Sequence, residues 1–251
     1  MRKELEEYFR EILKSDATED KEGALSWRMS CYDSGQDIVN YVENNHFPLK
    51  HKTVLDSACA WGSHILSFGA AGAEVFCADL NDHCYDKLQD FAKQQKISLK
   101  IKQANCETLP FDDCSFDLIL GLELIEHIES PQKYAFEVSR LLRKGGICIV
   151  TTPSRWKSVY WGEPHYNIKG LTLLPFVTQR FVATHIFRKK YPFPITRQYN
   201  TASAVMQPFL NAGLSGTSKI NGIIAKKTKN IPLLNNIAKE LLWDFIVFEK
   251  K

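Results

Sequence analysis

A chain of 251 residues, 44% hydrophobic and 24% charged, can bury one sizeable core, and its composition excludes a disordered or fibrous protein. No apolar run reaches the length of a membrane span, and the start MRKELEEYFREILKS is too charged for a signal peptide, so a cytoplasmic protein is expected. The net charge of +3 hides an asymmetry: residues 151–251 hold 15 Lys+Arg against 4 Asp+Glu, residues 1–150 hold 17 against 25, and a back half so basic suits an anionic partner.

Residues 1–49 read as a helical lead-in, with Leu5, Tyr8, Phe9 and Ile12 on one helix face. The seven cysteines, at 31, 59, 77, 84, 106, 114 and 148, form no CxxC pair. They read as reduced thiols, again a cytoplasmic sign. Cys59, His64, Cys77 and Cys84 match no zinc spacing, so buried core thiols are the better reading and no metal is expected.

From Lys52 to Pro153 short apolar runs alternate with helical patterns. TVLDSA (53–58), AEVFCADL (73–80), LKIKQA (99–104), FDLILGL (116–122) and GICIVTT (146–152) read as strands. Residues 62–70, 82–95, 123–128 and 131–143 read as helical, the last opening on Pro131, a tolerated place. Such alternation implies a parallel sheet covered on both faces, with ligands beyond the carboxyl ends of its strands. After Pro153 comes an aromatic, basic, proline-punctuated stretch, 154–200, too long for a plain connection and read as an insertion over the sheet edge. Its aromatics (Trp156, Tyr160, Trp161, Tyr166, Phe176, Phe181, Phe187, Tyr191) are expected to pack mostly into the insertion's own core, with an acceptor pocket as the alternative. Residues 171–191 have the pattern of a basic amphipathic helix. Packing on the sheet edge is its expected use and a peripheral membrane contact the alternative. A helix at 201–214, a strand at 217–226, a short helix at 232–242 and a closing strand in WDFIVFEKK end the chain.

Asp56 closes the first strand, the loop Ser57–Gly62 follows, and Asp79 closes the second. This is the spacing of a ribose reader, a carboxylate accepting both hydroxyls of a nucleoside across a glycine-type loop. The plain alternative for Asp79 is a cap for the helix at 82.

Taken with NCETLPFDDCSFDLILGLELIEHI (105–128) and LLRKGGICIVTTP, the run VLDSACAWG and CADL resembles the class I S-adenosylmethionine-dependent methyltransferases, in particular the small-molecule group of the ubiquinone-biosynthesis type. The resemblance covers about residues 50–153. It implies one methyltransferase domain over 1–251 with a Rossmann-like, doubly wound sheet of seven strands, mostly parallel, the last antiparallel. It also implies S-adenosyl-L-methionine as cofactor. The loop Asp56, Ser57, Ala58, Ala60, Gly62 would wrap its methionine part and ribose. Asp79 would hold the ribose hydroxyls, Leu80 would pack on the adenine, and Asn105 with Cys106 would meet the adenine edge. Glu123 would face the methyl-donor region.

Two usual glycines of the loop are alanine here, Ala58 and Ala60. If residue 60 is left-handed, alanine costs about 1–2 kcal/mol. Weakened rather than abolished cofactor binding is then expected, unless Trp61 closes the site. A hydroxyl acceptor needs a base with a pKa near the working pH, and His165, two residues from Glu163, and His127 are the candidates. The reading is methyl transfer to an oxygen of a small or carrier-linked acceptor, an anionic one being compatible with the charge. A non-catalytic binding protein with a degenerate loop is the alternative from another class. An RNA methyltransferase is the third, although no RNA-binding module is recognisable and nucleic acid is not the expected partner.

Overall fold

The computed structural model describes the chain except residues 17, 19, 83, 190–194, 221–226 and 229. Seven strands form one sheet in the order β3-β2-β1-β4-β5-β7-β6, where β1 is Thr53–Asp56, β2 Glu74–Asp79, β3 Leu99–Gln103, β4 Phe116–Gly121, β5 Leu142–Val150, β6 Ser215–Lys219 and β7 Phe245–Glu249. β1 pairs in parallel with β2 and β4, and β2 with β3. β7 runs antiparallel to both β5 and β6, as the resemblance implied. The chain divides into two compact units, residues 1–120 with 141–146, and residues 121–140 with 147–251.

In the first unit, α1 (Arg2–Ser15) buries Leu5, Tyr8, Phe9, Ile12 and Leu13, the three-and-four spacing of an amphipathic helix. α2 (Lys21–Asn45) begins at Asp20, whose carboxylate caps it by accepting the Gly23 N–H at 2.8 Å. Gly35 lets it cross the next helix closely, because a Cβ there would lie 2.4 Å from Ser67 Oγ and 3.0 Å from the His64 carbonyl. α3 (Ile65–Ala70) and α4 (Tyr85–Gln94) start three residues later than the pattern suggested. For α3 the reason is Gly62, whose φ of +77° holds residues 59–62 in a turn before the helix can begin.

In the second unit, α5 (Pro131–Leu141) follows Ser130, whose hydroxyl accepts the Lys133 N–H at 3.2 Å. The stretch 123–128 is not helical as expected but a chain of turns. Glu123 sits at φ +50°, outside helical space, and its N–H goes to Thr151. The insertion holds α6 (Arg155–Trp161), a 3₁₀ turn Leu171–Leu173, and α7 (Phe176–Phe181), which widens into a π turn at Val182–Ile186. Tyr166, Ile168, Leu171 and Ala183 form its small core, with Val182 and Ile195 against it.

This corrects the expectation for the insertion's aromatics. Tyr166 is buried, but Trp156, Tyr160, Trp161, Phe181 and Phe187 are exposed. The expected helix over 171–191 is not continuous in its described part, because Pro175 separates the 3₁₀ turn from α7. Tyr191 and the end of the strand expected at 217–226 lie outside the described residues. α8 (Ala202–Asn211) and α9 (Pro232–Leu241) match the remaining helical patterns. Of the seven cysteines, 59, 77, 84, 106 and 148 are buried, as core thiols should be.

Candidate active site

The loop after β1 is built almost wholly from its own backbone and two carboxylates. Ser57 sends both its N–H (3.0 Å) and its hydroxyl (2.7 Å) to the Leu120 carbonyl. It therefore anchors the loop to β4. The Ala58 N–H reaches Asp56 Oδ1 at 3.3 Å, and the Cys59 N–H reaches the Ala78 carbonyl at 3.2 Å. The Ala60 N–H donates to Asp79 Oδ2 at 2.9 Å, while the Cys84 thiol donates to the Ala60 carbonyl at 3.3 Å. Residue 60 has φ +44°. It is left-handed, so its alanine carries the strain that the sequence left open.

Trp61 is held against the helical lead-in. Tyr8 donates its hydroxyl to the Trp61 carbonyl at 3.1 Å, and the buried Arg28 guanidinium stacks over the indole at 4.1 Å. Arg28 also pairs with Asp16 at 2.6 Å. Its Nη1 is buried and has no hydrogen-bond partner among the described residues.

The donor set fits the adenosine part of S-adenosylmethionine. Each Asp79 oxygen accepts one backbone N–H, from Ala60 and from Asn81 at 3.0 Å. A carboxylate has about four lone-pair sites, which leaves acceptors for two ribose hydroxyls. Leu80 beside it is 63% exposed, a bare apolar surface of the kind an adenine would cover. Cys106 is buried, and Asn105 Oδ1 accepts the Glu107 N–H at 2.8 Å, one of its two acceptor positions.

Asp56 is buried, and burial pushes its carboxyl up to about 7 from an ordinary 3.8, with Asp79 adding to the rise and the Ala58 N–H opposing it. The sign follows from linkage. Below the ordinary value both folded and unfolded chains hold the proton. Between about pH 4 and 7 only the folded chain keeps it, so stability falls as pH rises, by roughly 4 kcal/mol in full. Asp56→Asn, whose carbonyl can still accept the Ala58 N–H, is expected to remove this slope. Urea unfolding of both proteins at about pH 5 and about pH 8 checks it; an equal pH dependence in the two would contradict the assignment.

A second cluster lies in the other unit. The turn Gly162–Ile168 closes through the Glu163 N–H to the Ile168 carbonyl at 3.1 Å and the Asn167 N–H to the Glu163 carbonyl at 2.6 Å. It places the Glu163 carboxylate against His165 Nδ1, and the other Glu163 oxygen accepts the Tyr166 N–H at 2.8 Å. His165 Nε2 is 4.0 Å from Glu126 Oε1, His127 Nε2 is 3.9 Å from the same oxygen, and the two imidazoles meet edge to face at 5.2 Å. Glu126 is buried, and neither carboxylate oxygen has a hydrogen-bond partner among the described residues. Burial drives its carboxyl well above the usual carboxylate range, and the nearby Glu123 carboxylate pushes the same way. Glu123, half-buried, is raised too by burial, against the Thr151 hydroxyl. Glu126, His127 and His165 bring one ligand atom each within 4.8 Å of one another, a set that could hold a metal ion.

The structure thus joins the two histidines named from sequence and keeps them in one unit with Glu123. Sequence reasoning missed Glu126 as their buried partner. Its signal was present in ELIEHI, where an acidic side chain directly precedes a candidate base, but nothing in the spacing says that it is buried.

Residues 55–150 match the methyltransferase domain family. A ubiquinone biosynthesis O-methyltransferase of Coxiella burnetii is 30% identical over 117 residues, 47% of this chain and 50% of that protein. The chain thus spans about half the length of the curated relatives it matches. Among solved structures, the YcgJ protein of Bacillus subtilis superposes with a TM-score of 0.56 at 16% identity, over 88% of this chain and 99% of that one. An S-adenosylmethionine-dependent methyltransferase of Mesorhizobium loti gives 0.53 at 14% identity, over 86% and 98%. These likenesses show the fold.

Proposed function

We propose, from the match of residues 55–150 to the methyltransferase domain family, that the protein is a class I S-adenosylmethionine-dependent methyltransferase and transfers the methyl group to an oxygen of a small or carrier-linked acceptor. The relatives named for ubiquinone biosynthesis support an oxygen acceptor. The observation that carries the reading is the Glu163–His165 pair.

S-adenosylmethionine supplies an electrophilic methyl group on a sulfonium sulfur. Asp79, Leu80 and the loop 56–62 bind and orient the donor. Asn105 and Cys106 border the adenine. Glu163 accepts the Nδ1–H of His165, which leaves Nε2 with a lone pair on the side of Glu126. An imidazole oriented in this way can take the proton of an acceptor hydroxyl as its oxygen gains the methyl group. Glu126 and His127 line the same place, and His127 is the second base candidate. The basic charge of residues 151–251 suits an anionic acceptor.

Calorimetric titration of S-adenosylmethionine into the wild type and Asp79→Ala tests the donor half. Micromolar-range binding is expected, weakened about 100-fold or more in the variant, which loses both the ribose contact and the anchor of Ala60. A folded wild type that binds neither the donor nor its demethylated product would remove the reading and leave the non-catalytic alternative.

A second reading rests on the bare, buried Glu126 carboxylate. A divalent cation held by Glu126, His127 and His165 would satisfy it and would orient an acceptor oxygen instead. Chelator treatment separates the two. Undiminished turnover supports the base, whereas loss restored by added zinc supports the cation, since two imidazoles and a carboxylate suit zinc.

A further inference from the structure

The insertion exposes what a folded domain ordinarily hides. Leu173, Val177 and Phe181 follow one another at four-residue steps, and the π turn after Phe181 makes the next step five, to Ile186. All four are exposed, Val177 at 84%. The opposite side of the same segment holds the buried Gln179 and Ala183, the latter in the insertion's own core. The apolar stripe therefore faces outward. Nearby in sequence, Tyr160 and Trp161 are also exposed and packed on each other at 4.9 Å.

The charges complete the pattern. Lys169, Arg180, Arg188 and Lys189 are exposed. The one acid between Arg155 and Lys189 is Glu163, which is buried against His165. From Pro164 to Lys239 the sequence contains no Asp or Glu at all.

We propose that the outer face of residues 171–189 is a docking surface for an anionic lipid membrane. Exposed aliphatic and aromatic side chains would enter the headgroup boundary, and the flanking cations would meet lipid phosphates, as for an interfacial amphipathic segment. Trp161 and Tyr160 have the amphipathic rings that favour such a boundary. No described helix is long and apolar enough to cross a membrane, and the proposed contact is a peripheral one. A second copy of the chain fits less well, because a two-fold contact of this face would set its cations against one another with no acid from Pro164 to Lys239 to pair them. RNA fits less well too, because Leu173, Val177 and Ile186 offer bases no stacking surface. The proposal does not depend on methyl transfer.

Sedimentation of the full chain with vesicles of phosphatidylcholine alone, or mixed equally with phosphatidylglycerol, tests it. The wild type is expected to co-sediment with the mixed vesicles, and high salt to release it. Val177→Asp with Phe181→Asp should weaken partitioning about tenfold or more. Circular dichroism checks that this variant is folded; if it is not, Arg188→Glu with Lys189→Glu, which keeps the stripe, must show the same loss. Wild-type protein that ignores the mixed vesicles, or binds both kinds equally, overturns the proposal. So do folded variants that bind undiminished. A wild-type dimer broken by the substitutions, or retention on single-stranded RNA, either one without vesicle binding, would assign the face to those partners instead.

Discussion

Replacing His165 by glutamine is expected to lower turnover by about 10²- to 10⁴-fold while leaving the affinity for S-adenosylmethionine unchanged. Glutamine keeps a polar side chain of similar reach but has no basic nitrogen. The contacts proposed for the donor, from Asp79, Leu80 and the loop 56–62, are left unsubstituted, so calorimetry with S-adenosylmethionine should not register the change. Glu163 acts through His165: its carboxylate sets which ring nitrogen carries the hydrogen. Glu163→Ala should therefore cost less than loss of the imidazole, on the order of tenfold to a hundredfold, because an unoriented histidine still samples the correct tautomer. Methyl incorporation into a panel of phenolic and saccharide acceptors, at saturating donor, measures both. Turnover by His165→Gln within about threefold of wild type would remove histidine 165 as the base and point to His127.

The second large effect is expected in the cofactor loop. A Cβ on residue 62 would lie 2.5 and 2.8 Å from the two methyl carbons of Leu88, which is fully buried. The backbone there has φ +77°, which penalises any L side chain as well. Gly62→Ala should therefore destabilise the protein by about 2–4 kcal/mol, the sum of left-handed strain and overpacking, and weaken donor binding with it. Ala60→Gly is the counterpart. Residue 60 pays the left-handed penalty now, and glycine would remove it at some cost in unfolded-chain entropy, for a net gain of up to about 1 kcal/mol. Chemical unfolding with and without S-adenosylmethionine checks both. Opposite signs are expected for the two substitutions. A destabilised Ala60→Gly would mean that the Ala60 methyl contributes packing that its backbone angle conceals.

Together these bear on whether a loop with two alanines still functions. Ala58 lies at the strand exit and its N–H is satisfied by Asp56. Ala60 is strained but held on both sides, by Asp79 at its N–H and Cys84 at its carbonyl. The strain is offset by contacts within the protein, so it does not require the loop to distort. Trp61 is tied to Tyr8 and Arg28, two residues of the helical lead-in. That tie gives residues 1–49 a part in holding the loop after β1, beyond covering the core.

Much of the architecture is legible without coordinates because it depends on local periodicity. Five strands and most of the helices between them follow from alternating apolar runs, and the carboxylate that closes the second strand, Asp79, accepts the Ala60 N–H of the loop. The errors have physical causes. Residues 123–128 carry a helical pattern, but Glu123 is left-handed and its N–H goes to Thr151, far along the chain, rather than into a helix. The insertion's aromatics carry a core-like composition, yet most stand in solvent, because its small core is filled by Tyr166, Ile168, Leu171 and Ala183.

The order of strands and helices, the loop after the first strand with the acids on either side of it, and the basic bias of the back half are all legible in the residues alone. Each is written in neighbouring residues. The sign of φ at residue 60, the meeting of Glu126 and His127 with His165, and the outward turn of Val177 and Phe181 emerge only in the folded chain. Those depend on contacts between residues far apart in the chain and on which face of a helix finds the core. Spacing along one strand of sequence cannot encode either until the chain has folded.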